Sequence, residues 1–261
     1  MAKNSRNSGG ARSTANVRQL PGFRDLPESI LQALQAISVA KSFKAGQTVL
    51  DADAPSPTSG AVHSGILRMQ KDLPSGHRHI VGLLFEGDFF GRIFNSHTHF
   101  SIIAAVDADI IMFPRTAFEA LLLRSPELHR LLMLHVLTEL DRARDWMIIL
   151  ANPKVRGRLA GLLVLLCIRV QHIDHPTASG DAIALRIPLS RHDVANLLGT
   201  RVESVSRALH ALADDGRIDI LRPDLLHIRN LQALIKDAGA PPLADTASLP
   251  HSGGAKGKPI N

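Results

Sequence analysis

Apolar positions change their period along the chain, and each change marks a new kind of element. From Lys41 to about Arg115 the pattern is one of short apolar runs broken by Gly, Pro and Asp. Gly46-Gln47-Thr48-Val49-Leu50, Gly65-Ile66-Leu67-Arg68-Met69, Ile80-Val81-Gly82-Leu83-Leu84-Phe85 and Asp109-Ile110-Ile111-Met112-Phe113 are examples. Runs of this length between turn residues predict the strands of a small antiparallel roll or barrel. Ahead of them, Leu26 to Leu34 reads as a short helix with Pro27 in its first turn.

At Ser125-Pro126-Glu127 the period becomes helical, with a Ser cap, a Pro in the first turn and a Glu near the positive end. Met133, Val136, Leu140, Ala143, Met147 and Leu150 follow 3-4-3-4-3 spacing, an a/d seam. Leu131, Leu134, Leu137, Trp146 and Ile149 make a second apolar surface, expected to lie on the roll. Two apolar surfaces on one helix predict a partner chain as well as an own core. The alternative is a helix wholly buried within a monomer. Asn152-Pro153 ends the helix. Arg156 to Val170 reads as another helix, His172 to Gly180 as a loop and Ile183 to Ile187 as a strand.

The stretch from Leu189 to Leu209 predicts two short helices joined at Gly199, which supplies the left-handed conformation that ends the first. Ser190, with Asp193 three residues on, is a good cap for the first helix, and Thr200 is expected to cap the second. Val202, Val205, Leu209 and Leu212 form one apolar stripe on the second helix. Glu203, Ser206 and Arg207 fall together on another face. Arg can bond both acceptors of a guanine edge, Glu accepts from the cytosine amino group, and Ser serves either role. That is what a recognition helix in a DNA major groove needs. Gly216 to Ile220 and Leu226 to Arg229 alternate around Arg222-Pro223-Asp224 as the two strands of a wing. The competing reading is a plain helical hairpin in which Glu203 completes a capping box with Thr200. One residue can also do both.

Val202-Glu203-Ser204-Val205-Ser206-Arg207 resembles the E-x-x-S-R recognition helix of the Crp/Fnr family of bacterial transcription regulators, on the Fnr/FixK side. The resemblance runs from about Leu20 to Lys236. It implies an α+β fold: a cyclic-nucleotide-binding-type β-roll, a long dimerisation helix and a C-terminal winged helix-turn-helix. The boundaries expected are a disordered basic tail over 1–19, the roll over 20–115, the dimerisation segment over 116–152, the DNA-binding domain over 153–238 and a flexible tail over 239–261. The resemblance further implies a homodimer on a TTGAT....ATCAA palindrome, with the recognition helices about one DNA turn apart. Glu203 and Arg207 would read the C·G pair and Ser206 the neighbouring T·A pair. Ser190, Arg191, Thr200 and Arg201 lie where phosphate contacts are expected. RNA polymerase would be a further partner. By family association, the targets are genes of low-oxygen or redox-linked metabolism, with the protein acting as an activator.

Glu86-Gly87-Asp88-Phe89-Phe90-Gly91 resembles the start of the family's effector cassette, and there the chain departs from the cyclic-AMP-binding members. In those, a Glu after the glycine holds the ribose and an Arg-Ser or Arg-Thr pair holds the phosphate. Here Arg92 and Phe100-Ser101 stand in those places, so an acceptor has become a donor and the phosphate's counter-charge is gone. Cyclic AMP is not expected to bind in that mode. Arg92, Phe100 and Ser101 remain the candidate pocket for another effector, with a structural salt bridge as the plainer role of Arg92. The alternative function is a ligand-gated regulator using haem or another small effector in the roll.

Composition adds limits. Thirty Lys+Arg against 24 Asp+Glu give a net charge of +6, compatible with a polyanionic partner without requiring one. The one cysteine, Cys167, allows no disulfide within the chain and no four-cysteine iron–sulfur cluster. It reads as a structural cysteine, or alternatively as a redox switch of the kind FixK-like members carry. His77, His79, His97 and His99 form two His-x-His pairs, read as exposed loop residues or, alternatively, as a metal or haem site. No metal-ligand set, nucleophile–base pair or phosphate loop is apparent, so neither a metal nor an enzymatic activity is expected. Met1 to Asn16 lacks the apolar core of a signal peptide, and no apolar run is long enough to span a membrane, so a cytoplasmic protein is expected.

Overall fold

The computed structural model describes residues 16–73, 78–94, 97–170 and 183–239. The chain divides into two compact units, 1–139 and 140–261.

The first unit is an antiparallel roll of two four-stranded sheets. One has β1 (Val39–Phe43), β8 (Ala108–Pro114), β3 (Thr58–Ser64) and β6 (Phe89–Phe90) in that order; the other has β2 (Thr48–Leu50), β7 (Ser101–Ala104), β4 (Leu67–Asp72) and β5 (Arg78–Leu84). Strand β8 explains why its sequence reads as an unbroken apolar run. Ile110 and Met112 face the interior of the roll with Val62, Leu67, Leu84 and Ile102. Ile111 and Phe113 face the opposite way, into a second core with Leu34, Phe118 and Leu128. A strand covered on both faces has no solvent side on which to place polar residues.

The second core is roofed by α1 (Glu28–Ile37), α2 (Arg115–Arg124) and the start of α3 (Pro126–Ala151). It also takes Val17 and Leu20, both fully buried. The expected disordered tail over 1–19 is therefore corrected at its end: Asn16 caps a short 3-10 turn over Val17–Gln19, and burial of Val17 and Leu20 anchors it. The rest of that tail, the loop from His172 to Gly180 and the tail after Gly239 lie outside the described residues.

Ser125 starts α3 as expected: its hydroxyl accepts from Leu128 N–H at 3.1 Å and donates to Glu127 at 3.1 Å. The seam positions Met133, Val136, Leu140, Met147 and Leu150 are between 36% and 63% exposed, and Ala143 is exposed with them. The second apolar surface is smaller than expected. Leu131 packs on the roll's second core and Ile149 is buried, but Leu134 and Leu137 are half exposed.

In the second unit, α4 (Val155–Arg169) is the central helix, with Leu159, Leu162, Leu163 and Leu166 fully buried. It lies close to the end of α3 because position 161 is glycine: a Cβ there would meet Ile149 side-chain carbons at 3.0 Å. Around it fold α5 (Arg191–Leu197), α6 (Val202–Asp214), α7 (Leu231–Ala238) and a three-stranded sheet. That sheet runs β10 (Ile218–Arg222), β11 (Leu225–Ile228), β9 (Ile183–Arg186). Among the described residues no helix is long and apolar enough to cross a membrane.

Candidate nucleic-acid interface

The interface is built by α5, the turn after it, α6 and the hairpin of β10 and β11. Ser190 caps α5: its Oγ accepts from Asp193 N–H at 3.1 Å and donates to Asp193 Oδ2 at 2.8 Å. Both capacities of that hydroxyl are used within the protein, which counts against the phosphate contact expected of it. Gly199, at φ +60°, ends α5. Thr200 N–H returns to Ala195 O at 2.9 Å, the 6→1 bond of a Schellman motif. Thr200 thus finishes α5 and does not cap α6. The α6 cap position is Arg201, and its side chain makes no capping bond. A capping box between Thr200 and Glu203 is not formed.

Helix α6 separates two faces sharply. Val205, Ala208, Leu209 and Leu212 are buried, while Glu203 and Arg207 are exposed one turn apart and Ser206 is half-buried beside them. Arg207 Nη2 donates to Ser204 at 3.4 Å, a weak bond that leaves its guanidinium at the surface. The positive end of the helix dipole lies on the same side as Arg201 and Glu203.

Arg191 lines a cleft with Ser206, His210, Leu221 and Arg222, between α6 and the wing. Burial pushes its pKa down, yet a guanidinium stays protonated at neutral pH. Among the described residues it makes no ion pair. The wing itself turns at Pro223-Asp224, with a bulge between Ile220 and Arg222. Arg229 donates to Asp219 across its base at 2.6 Å. Beneath the interface, Arg156 pairs with Asp215 and, at 2.9 Å, with Asp237, which Arg217 also reaches at 3.3 Å. These pairs join α4, the end of α6 and α7. Helix α7 is not among the elements predicted from the sequence, although the Asn230 cap and the spacing of Leu231, Leu234 and Ala238 signal it.

Cys167 sits on the buried side of α4, 4% exposed, and burial pushes its thiol up to about 12. It is protonated at neutral pH and shielded, the condition of a structural cysteine rather than of a reactive one.

The candidate effector residues Arg92, Phe100 and Ser101 all lie in the roll. Arg92 is exposed and makes no ion pair among the described residues. Ser101 Oγ accepts from Ala52 N–H at 3.0 Å, and Phe100 lies under Lys71 Nζ at 5.8 Å. His97 and His99 lie in a loop, where His99 pairs with Asp53 at 3.3 Å; His79 is exposed on β5, and His77 lies outside the described residues. A different group does converge: Asp88, His135 and Glu139 bring ligand atoms within 4.8 Å of one another. In the sequence only the i, i+4 spacing of His135 and Glu139 hints at it, since Asp88 comes from the distant effector-cassette turn.

Residues 157–236 match the Crp-like helix-turn-helix domain and residues 40–125 the cyclic nucleotide-binding domain. The chain is 30% identical over 209 residues to the transcriptional activator protein FnrL of Cereibacter sphaeroides, covering 80% of this chain and 84% of that one. It is 30% identical over 179 residues to the nitrogen fixation regulation protein FixK of Bradyrhizobium diazoefficiens, 69% and 73% of the two chains. Its fold is similar to that of FixK2 from Bradyrhizobium japonicum, with a TM-score of 0.68 at 24% identity over 77% of this chain and 96% of that one. With a nucleotide-binding-type roll, a winged helix-turn-helix and these relatives, the chain is a DNA-binding transcription regulator and belongs to the Crp/Fnr family.

Proposed function

We propose that this regulator binds a TTGAT....ATCAA palindrome as a homodimer, with Glu203 and Arg207 reading a C·G pair in each half-site. The observation that carries the reading is the sharp division of α6, whose apolar stripe from Val205 to Leu212 is buried while Glu203 and Arg207 project together. Ser206, half-buried beside them, takes the neighbouring pair. Phosphates fall to Arg191 and Arg201, with Thr200 at the turn. A half-buried guanidinium without a carboxylate partner is well matched to a phosphate, and an α6 N-terminus without a side-chain cap adds backbone donors. The dimer forms through Met133, Val136, Leu140, Ala143, Met147 and Leu150, because an exposed apolar row of this length on one helix needs cover. Contact with RNA polymerase follows from the activator role that the FnrL name carries, and a link to low-oxygen genes from the resemblance to the family's Fnr/FixK side.

Cyclic AMP has no effect in this reading, given Arg92 and Phe100 at its two anchor positions. No iron–sulfur cluster is held, because Cys167 is the one cysteine and is buried. In this reading the regulator works without haem and without catalysis.

The test is binding to wild-type and point-changed operators at several salt concentrations. Arg207→Ala should cost about 1–3 kcal/mol per half-site and relax discrimination at the C·G pair, leaving much of the non-specific affinity. Arg191→Ala should weaken all sequences about equally and reduce the salt slope by roughly one for each phosphate it no longer neutralises. If Arg207→Ala weakens every duplex uniformly and keeps the base preference, the assignment of α6 as the base reader is wrong.

A further inference from the structure

We infer that the groove between α2 and the first turns of α3 is a docking site for a partner protein, entered by an apolar side chain flanked by carboxylates. Helix α2 ends and α3 begins around Ser125, and the two leave a groove of about 480 Å³ at that corner. Such a volume lies within the range of sites that bury apolar groups. Leu123, Pro126, Met133 and Leu134 line it, together with His129 and Arg130. Leu123 is 74% exposed, more than any other large apolar side chain among the described residues, and Met133 and Leu134 are each 51% exposed. Apolar side chains that stand together in water, rather than singly, mark a contact surface.

The seam does not account for this groove. Met133 belongs to both, so the groove opens at the seam's edge. Leu134, however, is turned about 100° round the helix from Met133, and Leu123 is carried by a different helix. A chain seated on the seam leaves these two side chains open.

Charge selects the occupant. The lining holds Arg130 and His129 and no Asp or Glu. Among the described residues Arg130 makes no ion pair, nor does Arg124, exposed in the last turn of α2. Glu127, the nearest carboxylate along the chain, accepts from Ser125 Oγ at 3.1 Å in the cap of α3. A guanidinium beside an apolar groove is matched by a carboxylate beside an apolar side chain. A second copy presenting the same groove would set Arg130 against Arg130 and bring no carboxylate to either. Residues 1–15 of this chain carry Lys3, Arg6 and Arg12 and no Asp or Glu, so that segment is also of the wrong sign. The occupant is therefore an amphipathic segment of another protein, apolar on the face laid in the groove and acidic at its rim. Met133, unbranched and polarizable, adapts to the side chain that enters.

The experiment titrates the full chain into a fluorescein-labelled amphipathic peptide, with leucines on one face and glutamates on the other, and follows anisotropy. Saturable binding is expected, weaker as salt is raised. The same peptide with each glutamate replaced by lysine should not bind. Leu123→Ser and Leu134→Ser should each weaken binding by at least roughly tenfold; both side chains are at least half exposed, so the fold is kept. Arg124→Glu/Arg130→Glu should reverse the preference, binding the lysine peptide and not the glutamate one, which loss of structure does not produce. No saturable binding by the folded wild type, equal binding of both peptides, or a preference unchanged by the double charge reversal would each overturn the inference. So would a Leu123→Ser chain that sediments as monomer, which makes the groove part of the contact between copies. A chain ending at Gly239 that binds the glutamate peptide at least roughly tenfold more tightly would overturn it too, because residues 240–261 would then be the occupant. Operator binding is scored in the same preparations, so loss of peptide binding with base preference intact leaves the DNA reading standing.

Discussion

Two amphipathic helices in this molecule expose opposite kinds of face. In α6 the apolar stripe of Val205, Ala208, Leu209 and Leu212 is 0–6% exposed, and what meets solvent is Glu203, Arg207 and a half-buried Ser206. In α3 the polar groups Asp141 and Arg144 pair with each other at 3.0 Å, while Met133, Val136, Leu140, Met147 and Leu150 stand in water. The exposed face of α6 is already paired with solvent and can exchange it for base edges and phosphates. The exposed face of α3 costs free energy until a second apolar surface covers it. On α6 the apolar face is covered within the chain; on α3 an apolar face is left uncovered, which the proposed dimer would bury. Substitutions on the two should therefore fail in different ways.

The largest effect is expected from Leu140→Glu. In the single chain Leu140 is 46% exposed, so the glutamate is solvated and the fold is kept. In the dimer, two such glutamates face each other across an apolar seam, where unpaired charge is strongly disfavoured. Sedimentation should report monomer, and operator affinity should fall to the non-specific level, roughly 10³-fold or more weaker. Circular dichroism should be unchanged. A dimer that persists and still binds its operator would show that the row on α3 is not the seam.

The mirror experiment is Leu209→Ala in α6. Leu209 is 1% exposed, so the truncation leaves a cavity in the second unit and should cost about 2–5 kcal/mol of its stability. Denaturant melts should move to lower midpoint, while below the transition the dimer and the base preference persist. If Leu209→Ala instead switches the preferred base with stability untouched, the two faces of α6 have been assigned the wrong way round.

Much of this division is legible in the sequence, and the exceptions have physical causes. The stripes on α6 and α3 follow from spacing alone, because a helix repeats its faces locally. Strand β8 is legible as apolar but not as buried on both faces; that needs the second core of α1 and α2 on its far side. Thr200 looks like a cap because its residue type suits one, yet its N–H is taken by Ala195 O once Gly199 turns the chain. Type alone does not say which of two adjoining helices a turn residue serves. Leu134 and Leu137 look like roll-facing positions by type, yet both are half exposed, and helical phase brings only Leu137 toward the edge of the seam. The group of Asp88, His135 and Glu139 joins a turn to a helix far along the chain, and no local period carries that.

The smallest effect lies beneath α6, where Asp237 receives Arg156 and Arg217. Desolvation of Asp237 is the largest single influence and raises its pKa, but the hydrogen bonds and charges of the two arginines together outweigh it, so the pKa is lowered from the ordinary 3.8. A carboxylate with a lowered folded-state pKa contributes stability above its unfolded-state value and loses it as pH falls through the folded-state value. The contribution should therefore be constant from neutral pH down to about pH 5 and vanish only below the ordinary carboxylate range. The Asp237 side chain is 22% exposed and those of Arg156 and Arg217 are 30% and 32% exposed, so the pairs are partly screened and worth on the order of 1 kcal/mol. Asp237→Asn should lower the melting temperature of the second unit by a few degrees at pH 7 and by nothing once both chains are in strong acid. The Arg156–Asp215 pair remains in the variant and holds α4 to the end of α6. The face of α6 that carries Glu203 and Arg207 should thus keep its base preference at pH 7. A variant melting offset that grows as pH falls would mean that Asp237 is destabilised by burial, and that the two arginines do not outweigh it.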